Sequence, residues 1–214
     1  MTSLHPAPMI FLTEEGPYFA GEENLMTATL IAQIVVSLDG YIENEDHEID
    51  FEFIDAEYDE FILQTLRSLD AMVFGRKAYE PLSQYWPTAA ENPDATPVDL
   101  EQARLMHELP KYVVSTTLSE TDWHNTHIVH DVTELEMIKT QHDRPIAIFA
   151  GGGIISSASD HGLVEEYRLT VSPVRLGSGT PLFRRSAKRV PLTLTDSRVF
   201  GSGAVLLTYR PTAA

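Results

Sequence analysis

The chain contains no cysteine, so neither a disulfide framework nor a thiolate site can form. It has no apolar run long enough to cross a bilayer, and no basic segment followed by an apolar stretch opens it, so no secretory signal is expected. Its 214 residues, of which 43% are hydrophobic, suffice for one domain with a full core. The composition therefore predicts a cytoplasmic protein with a single packed domain.

Positive charge is scarce, and the chain has no lysine or arginine before Arg67. The whole sequence carries 15 Lys and Arg residues against 32 Asp and Glu residues. The resulting net charge of −17 repels nucleic acid and anionic membranes, so neither is expected as a partner. The carboxylates predict a solvated acidic face or, alternatively, a pocket for a neutral or cationic small molecule. The adjacent pair Arg76-Lys77 stands out against this background.

The pattern of apolar residues predicts an α/β domain preceded by an N-terminal arm. Residues 1–26 are polar and contain prolines, whereas residues 27–214 form one domain of alternating strands and helices. Strands are predicted at 27–37, 71–74, 111–115, 128–129 and 146–149, helices at 56–68, 78–84, 101–109, 132–141 and 154–161, and a loop at 85–100. The segments 166–174, 191–200 and 205–210 alternate as antiparallel strands do. We therefore predict a mixed, mainly parallel sheet flanked by helices, with an antiparallel C-terminal hairpin.

Three consecutive glycines, Gly151-Gly152-Gly153, separate a strand that ends at Ala150 from a helix that begins at Ile154. Glycine lacks a Cβ atom, so the backbone of this segment can closely approach another group. The first N–H groups of a helix are unpaired and carry partial positive charge, which favours a phosphate at this position. A tight turn that requires positive φ is the alternative explanation.

Two further predicted strands end in groups that suit a phosphate. Gly75-Arg76-Lys77 follows one strand and Ser115-Thr116-Thr117 follows another. The carboxyl ends of parallel strands lie at one edge of a sheet, where ligands bind. Glycines and a helix N-terminus suit a pyrophosphate, while an arginine and hydroxyl groups suit a phosphate monoester. No GxGxxG or Walker sequence is present, which excludes the common Rossmann and P-loop sites.

Candidate proton donors are Asp39, at the end of the first strand beside Gly40, and Asp50 in the acidic segment that follows. A turn-forming role is the alternative for Asp39. No metal site is predicted, because the histidines at 124, 127 and 130 are three residues apart, a spacing that on a strand places neighbours on opposite faces. The basic residues between 184 and 189 are interpreted as part of a solvated loop.

Five blocks of sequence occur in a characteristic order: IAQIVVSLDGYIEN (31–44), MVFGRKAYE (72–80), YVVSTTL (112–118), IFAGGGIISSASDHGLVEEYRLTVSPVRLGSGTPLF (148–183) and VFGSGAVLLTYR (199–210). Together they resemble the dihydrofolate-reductase-like family, in the branch related to the C-terminal reductase domain of the bifunctional riboflavin deaminase-reductase. The resemblance covers residues 27–210. It implies a three-layer α/β/α fold, NADPH as hydride donor and a homodimer.

The resemblance also implies where the cofactor would lie. In the motif that starts at Gly75, Arg76 and Lys77 would meet the adenosine 2′-phosphate, with help from Ser115 and Thr116. Five residues would line the pyrophosphate: Gly151, Gly152, Gly153, Ile154 and Ile155. Three residues would lie near the nicotinamide: Ala32, Asp39 and Gly40.

Several residues differ from the family's motifs. Ala78 stands where the GRxT motif often has threonine. Tyr41 stands where the riboflavin-pathway reductases have lysine, and Ala150 where they have glutamate. Those two positions handle the sugar-phosphate substrate in that pathway, so their exchange argues against that substrate. No Trp-Asn-Leu-Pro pattern precedes the first helix, so dihydrofolate is not specified either.

The sequence therefore predicts an NADPH-dependent reductase that transfers hydride to a small, flat heterocycle of pterin, folate or pyrimidine type. Phe53, Tyr58 and Trp86, together with Phe51, are predicted to form an aromatic wall for this ring, and Tyr41 occupies a substrate position. Two alternatives stay open: the riboflavin-pathway 5-amino-6-(5-phosphoribosylamino)uracil reductase, and a nucleotide-binding module without turnover.

Overall fold

The computed structural model describes residues 12–13, 16–17, 27–51, 53, 55–184, 186 and 189–212. The predicted N-terminal arm, residues 1–26, lies outside the described residues except for two paired strands, β1 (Leu12–Thr13) and β2 (Gly16–Pro17). The division of the chain into an arm and a domain that starts at residue 27 therefore stays a prediction.

Eight strands form one mixed sheet. The strands after β2 are β3 (Leu30–Ser37), β4 (Tyr41–Glu43), β5 (Ala71–Gly75), β6 (Lys111–Val114), β7 (Thr126–Val129), β8 (Ile146–Phe149), β9 (Glu166–Ser172), β10 (Thr180–Pro181), β11 (Leu192–Val199) and β12 (Val205–Pro211). The sheet has the order β11-β12-β9-β3-β8-β5-β6-β7, and β4 pairs separately with β10. Neighbours from β9 to β7 are parallel, while β12 is antiparallel to both β9 and β11.

Helices cover both faces of this sheet. They are α1 (Ala56–Ser68), α2 (Arg76–Tyr85), α3 (Pro97–Glu108), α4 (Leu135–Lys139) and α5 (Gly152–His161), with 3₁₀ turns at Trp86–Glu91 and Val132–Glu134. Leu66 of α1 and Met106 of α3 belong to one apolar cluster, and Leu135 of α4 and Ile155 of α5 belong to another. This three-layer arrangement confirms the predicted α/β/α fold class. Among the described residues, no helix has both the length and the apolar character needed to span a bilayer.

The central strand β3 is apolar because helices cover both of its faces. Ile31 packs toward α1 and α3, while Leu30 and Ala32 pack toward α4 and α5. The start of α1 is fixed by the carboxylate of Asp55, which accepts the backbone N–H of Tyr58 at 2.9 Å. Burial and capping thus explain why the strongest sequence patterns became the predicted elements.

Several predicted boundaries are wrong at the N-terminal side of their elements, among them those of the first core strand and of α5. The first core strand begins at Leu30 instead of residue 27, because the N–H of Ala28 donates to the carbonyl of Lys139 outside the sheet. α5 begins at Gly152, two positions before its predicted start. Gly151, in the left-handed conformation, is the residue that caps it.

The predicted loop at 85–100 is also wrong, since it holds a 3₁₀ turn and the first residues of α3. The hydroxyl of Thr96 accepts the N–H of Asp99 at 3.2 Å, and the carboxylate of Asp99 accepts the N–H of Thr96 at 2.8 Å. Pro97 occupies the first helical position, where its missing N–H costs no hydrogen bond. Proline therefore starts a helix here instead of breaking one.

The side chain of Lys111, the first residue of β6, is fully buried. Its ammonium group donates to the carbonyls of Met106, His107 and Leu109 at 2.9, 2.8 and 2.7 Å, and it lies 4.6 Å from the ring centroid of Trp123. These carbonyls belong to the C-terminal end of α3, where a helix leaves its acceptors without N–H partners. Burial lowers the pKa of Lys111 to about 8.

We expect the contribution of Lys111 to stability to depend on pH. Its pKa falls from 10.5 to about 8 on folding, so the unfolded chain binds more protons between these values. The free energy of unfolding should rise with pH across this window, by at most about 1.4 kcal/mol per pH unit. Urea unfolding of the wild type and Lys111→Met from pH 8 to 10.5 measures this. The free energy of unfolding of the wild type, relative to that of Lys111→Met, should increase as pH rises. The same comparison with Lys77→Met, at an exposed position, should show no dependence on pH.

Candidate functional site

At the carboxyl edge of the parallel strands, β8 ends before both of its neighbours. β3 pairs with β8 only over Leu30–Gln33, and it continues to Ser37 beside β9. On the other side, β5 pairs with β8 only over Ala71–Val73 and continues beyond it. The sheet therefore has a gap between β3 and β5 directly beyond Phe149, the last residue of β8, and in sheets of this kind such a gap is the cleft where ligands bind.

The chain leaves β8 through the glycine-rich turn, which packs against the end of β5. Ala150 and Gly151 adopt positive φ values of 57° and 86°. A Cβ atom on Gly151 would lie 3.5 Å from the backbone nitrogen of Gly75, and one on Gly75 would lie 2.9 Å from Cγ1 of Ile154. Close approach therefore favours glycine at Gly75, while backbone conformation favours it at Gly151.

The next two glycines face other parts of the chain. A Cβ atom on Gly152 would lie 2.7 Å from Cδ1 of Ile42 and 3.3 Å from the carbonyl oxygen of Leu182. One on Gly153 would lie 3.1 Å from Nη2 of Arg184, so this guanidinium group lies over the first turn of α5. The helix N-terminus, where the N–H groups of Ile154 and Ile155 already donate to the carbonyl of Gly151, is thus accompanied by a positive side chain.

Arg184 is a site residue that sequence reasoning missed, since it was interpreted as part of a solvated loop. Its backbone N–H donates to Oγ of Ser156 in α5 at 3.2 Å, across 28 positions of sequence. No local motif signals a contact of this range. Ile155, which follows the glycines, is fully buried in the core, so its side chain anchors α5.

Arg76 and Lys77 open α2, and both are exposed. Nη1 of Arg76 lies 2.8 Å from Oε1 of Glu80, one turn later, and the two side chains are 45% and 46% exposed. Lys77 acts on Glu43 in β4: desolvation raises the pKa of Glu43, but the hydrogen bond from Thr180 and the charge of Lys77 are among the effects that outweigh it. Both basic residues therefore lie at the carboxyl edge, each near a carboxylate.

The hydroxyl group of Ser115, just after β6, is engaged by its own loop. It accepts the N–H groups of Thr117 and Leu118 at 3.2 and 3.0 Å. Thr116 is exposed beside it. Nδ1 of His130, after β7, lies 3.1 Å from the carbonyl oxygen of Ser115, so this edge is bordered by a titratable ring that the sequence analysis did not select as a site residue.

The histidines of the 124–130 segment contact different neighbours. His124 stacks on His107 with ring centroids 4.9 Å apart, and the ring of His127 lies 5.6 Å from that of Tyr112. Within the described part of the chain, no group of three or more His, Asp or Glu side chains is arranged to hold a metal ion.

Asp39 joins the end of β3 to the loop after β9. Its carboxylate accepts the N–H groups of Leu176 and Gly177 at 3.1 and 2.8 Å, and the hydroxyl of Ser37 at 2.8 Å. Desolvation raises the pKa of Asp39, but these hydrogen bonds outweigh it and the net shift is downward. Of the two roles predicted for Asp39, the geometry favours the turn-forming one, because a carboxyl group with a lowered pKa is a poor proton donor.

The other residues assigned to the nicotinamide, and Tyr41 assigned to the substrate, lie on or just after β3. Ala32 is fully buried in the core. Gly40 has a φ of 84°, and its carbonyl accepts the N–H of Leu182 at 3.0 Å. Tyr41 is half-buried, and its N–H donates to Oγ of Ser37 at 2.9 Å. The chain beyond β3 is therefore held on one side by its own turn and on the other by the segment after β10.

The predicted aromatic wall does not form a single surface. Tyr58 is only 6% exposed, and its ring lies 5.4 and 6.0 Å from those of Phe200 and Phe61. This corrects its assignment to substrate, because the apolar face of α1 turns Tyr58 into the core. Trp86 packs against the cluster of α1 and α3, whereas Phe53 is 45% exposed. The latter two therefore lie in different environments.

The acidic segment after β4 contains one exposed candidate proton donor and one buried residue of the predicted aromatic wall. Asp50 is exposed, and its Oδ1 accepts from Nδ2 of Asn44 at 3.4 Å. Phe51 is 5% exposed, yet it belongs to none of the three apolar clusters of the described residues.

Asp59 of α1 is a candidate proton donor that the sequence analysis missed, as it missed Arg184. Burial raises the pKa of Asp59, and the negative charges of Asp99 and Asp55 raise it further. It precedes Ile62 and Leu63 by three and four positions, and both of these pack in the cluster between α1 and the sheet. This spacing could have identified Asp59 from the sequence, because it places the carboxyl group on the side of α1 that faces the sheet.

The family model of the RibD C-terminal domain matches residues 28–206 of this chain. The chain belongs to the RibD C-terminal domain family. One relative of this chain is the uncharacterized protein YyaP of Bacillus subtilis. The two are 34% identical over 190 residues, which cover 87% of this chain and 96% of YyaP. The matched range contains the parallel strands and the glycine turn, and it ends at the second residue of β12.

Two solved structures share the fold of this RibD C-terminal domain. A protein of Shewanella sp. PV-4 named for riboflavin biosynthesis superposes with a TM-score of 0.66 at 20% identity, covering 86% of this chain and 99% of that one. Dihydrofolate reductase from Enterococcus faecalis, complexed with NADP(H) and RAB-propyl, superposes with a TM-score of 0.58 at 12% identity, over 86% and 97% of the two chains. The predicted family and fold are thereby confirmed.

We expect the glycine turn of this RibD C-terminal domain to require Gly151 for its backbone conformation. Gly151→Ala should lower the free energy of unfolding by about 1–2 kcal/mol, because an L-residue is strained at positive φ. The matched control is Gly203→Ala in the β11–β12 turn, where φ is 87° and a Cβ atom would lie 3.7 Å from Cγ of Pro173. Urea unfolding should give similar losses for both variants; a much larger loss at Gly151 would mean that contact with Gly75 dominates.

Proposed function

We propose that this protein is a cytoplasmic NADPH-dependent reductase that transfers hydride to a small, flat heterocycle. The observation that carries the proposal is the adjacency of the β8, β5 and β6 ends in a RibD C-terminal domain. These ends carry, in turn, the glycine turn, the two basic side chains and the exposed hydroxyl of Thr116. The shared fold with an NADP(H)-bound dihydrofolate reductase supports this cofactor.

The residues at this edge fit a cofactor rich in phosphate. Gly153 and the N–H groups of α5 offer a pyrophosphate site, and a Cβ atom on Gly153 would meet only the far end of the flexible Arg184 side chain. Arg76 and Lys77 offer charge-assisted hydrogen bonds to a further phosphate, with Thr116 beside them. Ser115 would act indirectly, by shaping the loop that presents Thr116.

When bound, the cofactor would supply the hydride, while the protein orients it and shields the reacting atoms from water. The cleft beyond Phe149 suits the meeting of the nicotinamide and the substrate ring, since it adjoins both the glycine turn and the end of β3. Gly40 and Tyr41 border this region from the β3 side. In this proposal Gly40 contacts the nicotinamide and Tyr41 contacts the substrate.

A substrate without a sugar phosphate fits this chain better than the riboflavin intermediate. The two positions that would handle the sugar phosphate carry Tyr41 and Ala150, and neither side chain has a charge that could neutralise a phosphate. Ala150 also takes a φ of 57°, so it serves the turn between β8 and α5.

We also propose a homodimer. β11 is the outermost strand of the sheet, and all eight of its residues are exposed. Its apolar residues include Leu194 and Val199, which are 50% and 69% exposed. A second copy placed along this edge would cover them and pair the side of β11 that has no strand beside it among the described residues.

The phosphate assignment predicts a specific loss of affinity in Arg76→Ala. NADPH should bind this variant roughly tenfold to a hundredfold more weakly than the wild type, toward the affinity of NADH, because a charge-assisted contact to the 2′-phosphate is lost. Isothermal titration calorimetry with both dinucleotides measures this change. Equal weakening of NADPH and NADH would contradict the assignment.

Arg104→Ala is the matched control for Arg76→Ala. Arg104 lies on α3, is 48% exposed and pairs with Glu101 at 2.8 Å, so it loses a comparable ion pair far from the glycine turn. We expect its NADPH affinity to equal that of the wild type. If the wild type binds neither dinucleotide, the reductase proposal fails altogether.

The proton that accompanies hydride transfer is assigned to Asp59, with Asp50 as the exposed alternative. Asp59 has a raised pKa, so more of it is protonated at a given pH than of an ordinary carboxyl group. If Asp59 donates the proton, kcat/KM should fall as pH rises through its pKa, and Asp59→Asn should lower the rate and flatten this profile. The dependence of kcat/KM on pH is measured for the wild type, Asp59→Asn and Asp50→Asn. If only Asp50→Asn flattens this dependence, Asp50 is the proton donor instead of Asp59.

A further inference from the structure

Gln33, in the middle of β3, carries a buried carboxamide that nothing in the described part of the chain satisfies. Its side-chain oxygen Oε1 and nitrogen Nε2 are both shielded from solvent, and neither has a hydrogen-bond partner there. The residue is 2% exposed. A side chain that can donate two hydrogen bonds and accept two therefore makes none.

An unpaired buried carboxamide opposes folding. The desolvation of an amide is costly when no hydrogen bond replaces those to water, and most buried polar groups in proteins are paired. An apolar side chain of similar length, such as methionine, would fit the same site without that cost. The presence of glutamine at this position indicates a partner that the folded chain itself does not supply.

The register of the sheet places Gln33 at the floor of the cleft. It lies beside Phe149, where β8 ends, and beside Arg168 of β9. Its side chain faces α1, because Ile31 and Val35, two positions before and after it, belong to the clusters that pack on α1. The carboxamide therefore lies between the sheet and α1, at the level where the cleft between β3 and β5 begins.

Two more unpaired polar atoms continue this line toward the carboxyl edge. Oγ1 of Thr170 and Oγ of Ser172 are buried without partners among the described residues. Both lie on the same face of β9 as Arg168, since the alternate residues of this strand pack toward α4 and α5. Thr170 pairs in register with Val35, and Ser172 with Ser37.

Polar groups that serve the fold in this region are paired. Ser37, at the end of the same strand and on the same face, donates to Asp39 and accepts from Tyr41. Arg168, beside Gln33, makes an ion pair with Glu166 at 2.7 Å. Along β3 and β9, the polar side chains of Gln33, Thr170 and Ser172 thus differ from those of Ser37 and Arg168, which are paired.

We propose that Gln33 determines substrate specificity by hydrogen bonding to the edge of the substrate ring. A carboxamide presents a donor beside an acceptor, and so does a lactam edge, in which a ring N–H lies next to a carbonyl. The two edges are complementary and form paired hydrogen bonds. This inference rests on the proposed reductase function, and it narrows the substrate to heterocycles with such an edge. The ring must displace the side chains that shield Gln33 in the free protein.

The inference is tested with two rings of the same shape, pterin (2-amino-4-oxopteridine), which has a lactam edge, and unsubstituted pteridine, whose ring nitrogens only accept hydrogen bonds. Their binding to the NADP⁺-loaded full chain is measured by calorimetry for the wild type and Gln33→Met. Gln33→Met should weaken pterin binding roughly tenfold to a hundredfold. Pteridine binding should weaken much less, because that ring has no N–H donor to pair with the carboxamide oxygen. The control Gln141→Met, at an exposed position, should change neither affinity.

A second readout separates ligand recognition from a structural role. Because the carboxamide is unpaired in the free protein, Gln33→Met should raise the melting temperature by about 2–4 °C while it weakens ring binding. A variant that fails to fold or melts lower would show that Gln33 has a partner within the chain, and this would overturn the inference.

Unchanged pterin affinity in Gln33→Met, or no binding of either ring to the wild type, would also overturn it. NADPH titration of the same samples distinguishes the two levels of failure. Retained NADPH binding would leave the proposed reductase standing without this role for Gln33, whereas lost NADPH binding in the wild type would remove the proposed function as well.

Discussion

The carboxyl edge of the sheet depends on the close approach of two backbones, one at the end of β5 and one at the start of α5. A side chain on Gly75 would meet Ile154, and Gly151 lies against the backbone nitrogen of Gly75. This approach lets the chain leave β8 early, while β3 and β5 continue. The cleft, the orientation of α5 and the adjacency of the basic residues to the glycine turn all follow from that short strand.

A second set of contacts fastens the segment after β9 over the same edge. The carboxylate of Asp39 holds Leu176 and Gly177, and Gly152 packs closely against Leu182. Together these contacts carry the chain back to α5 and place Arg184 over its first turn. An acidic protein of net charge −17 thereby gathers positive charge at one place, where a phosphate would otherwise be repelled.

Much of the fold could be predicted because its signals are local. The apolar runs of β3 and β5, the glycines and the spacing of the motifs predicted the layers and the edge at which they meet. Roles that depend on distant partners could not be predicted in this way. Asp39 bonds to residues 137 and 138 positions away, and no local pattern reports that its carboxylate is already engaged. Likewise, the unpaired state of Gln33 exists only once three strands and α1 enclose it.

The ion pair between Arg76 and Glu80 gives the proposed phosphate site an internal competitor. A ligand that binds Arg76 must first displace the carboxylate of Glu80, and it then lies near a second negative charge. Only a group that offers more than a single exposed carboxylate, such as a doubly charged phosphate monoester, gains from this exchange. In the proposed reductase, this surface salt bridge would set a minimum charge for the ligand and favour NADPH over NADH, although Glu80 itself would not contact the cofactor.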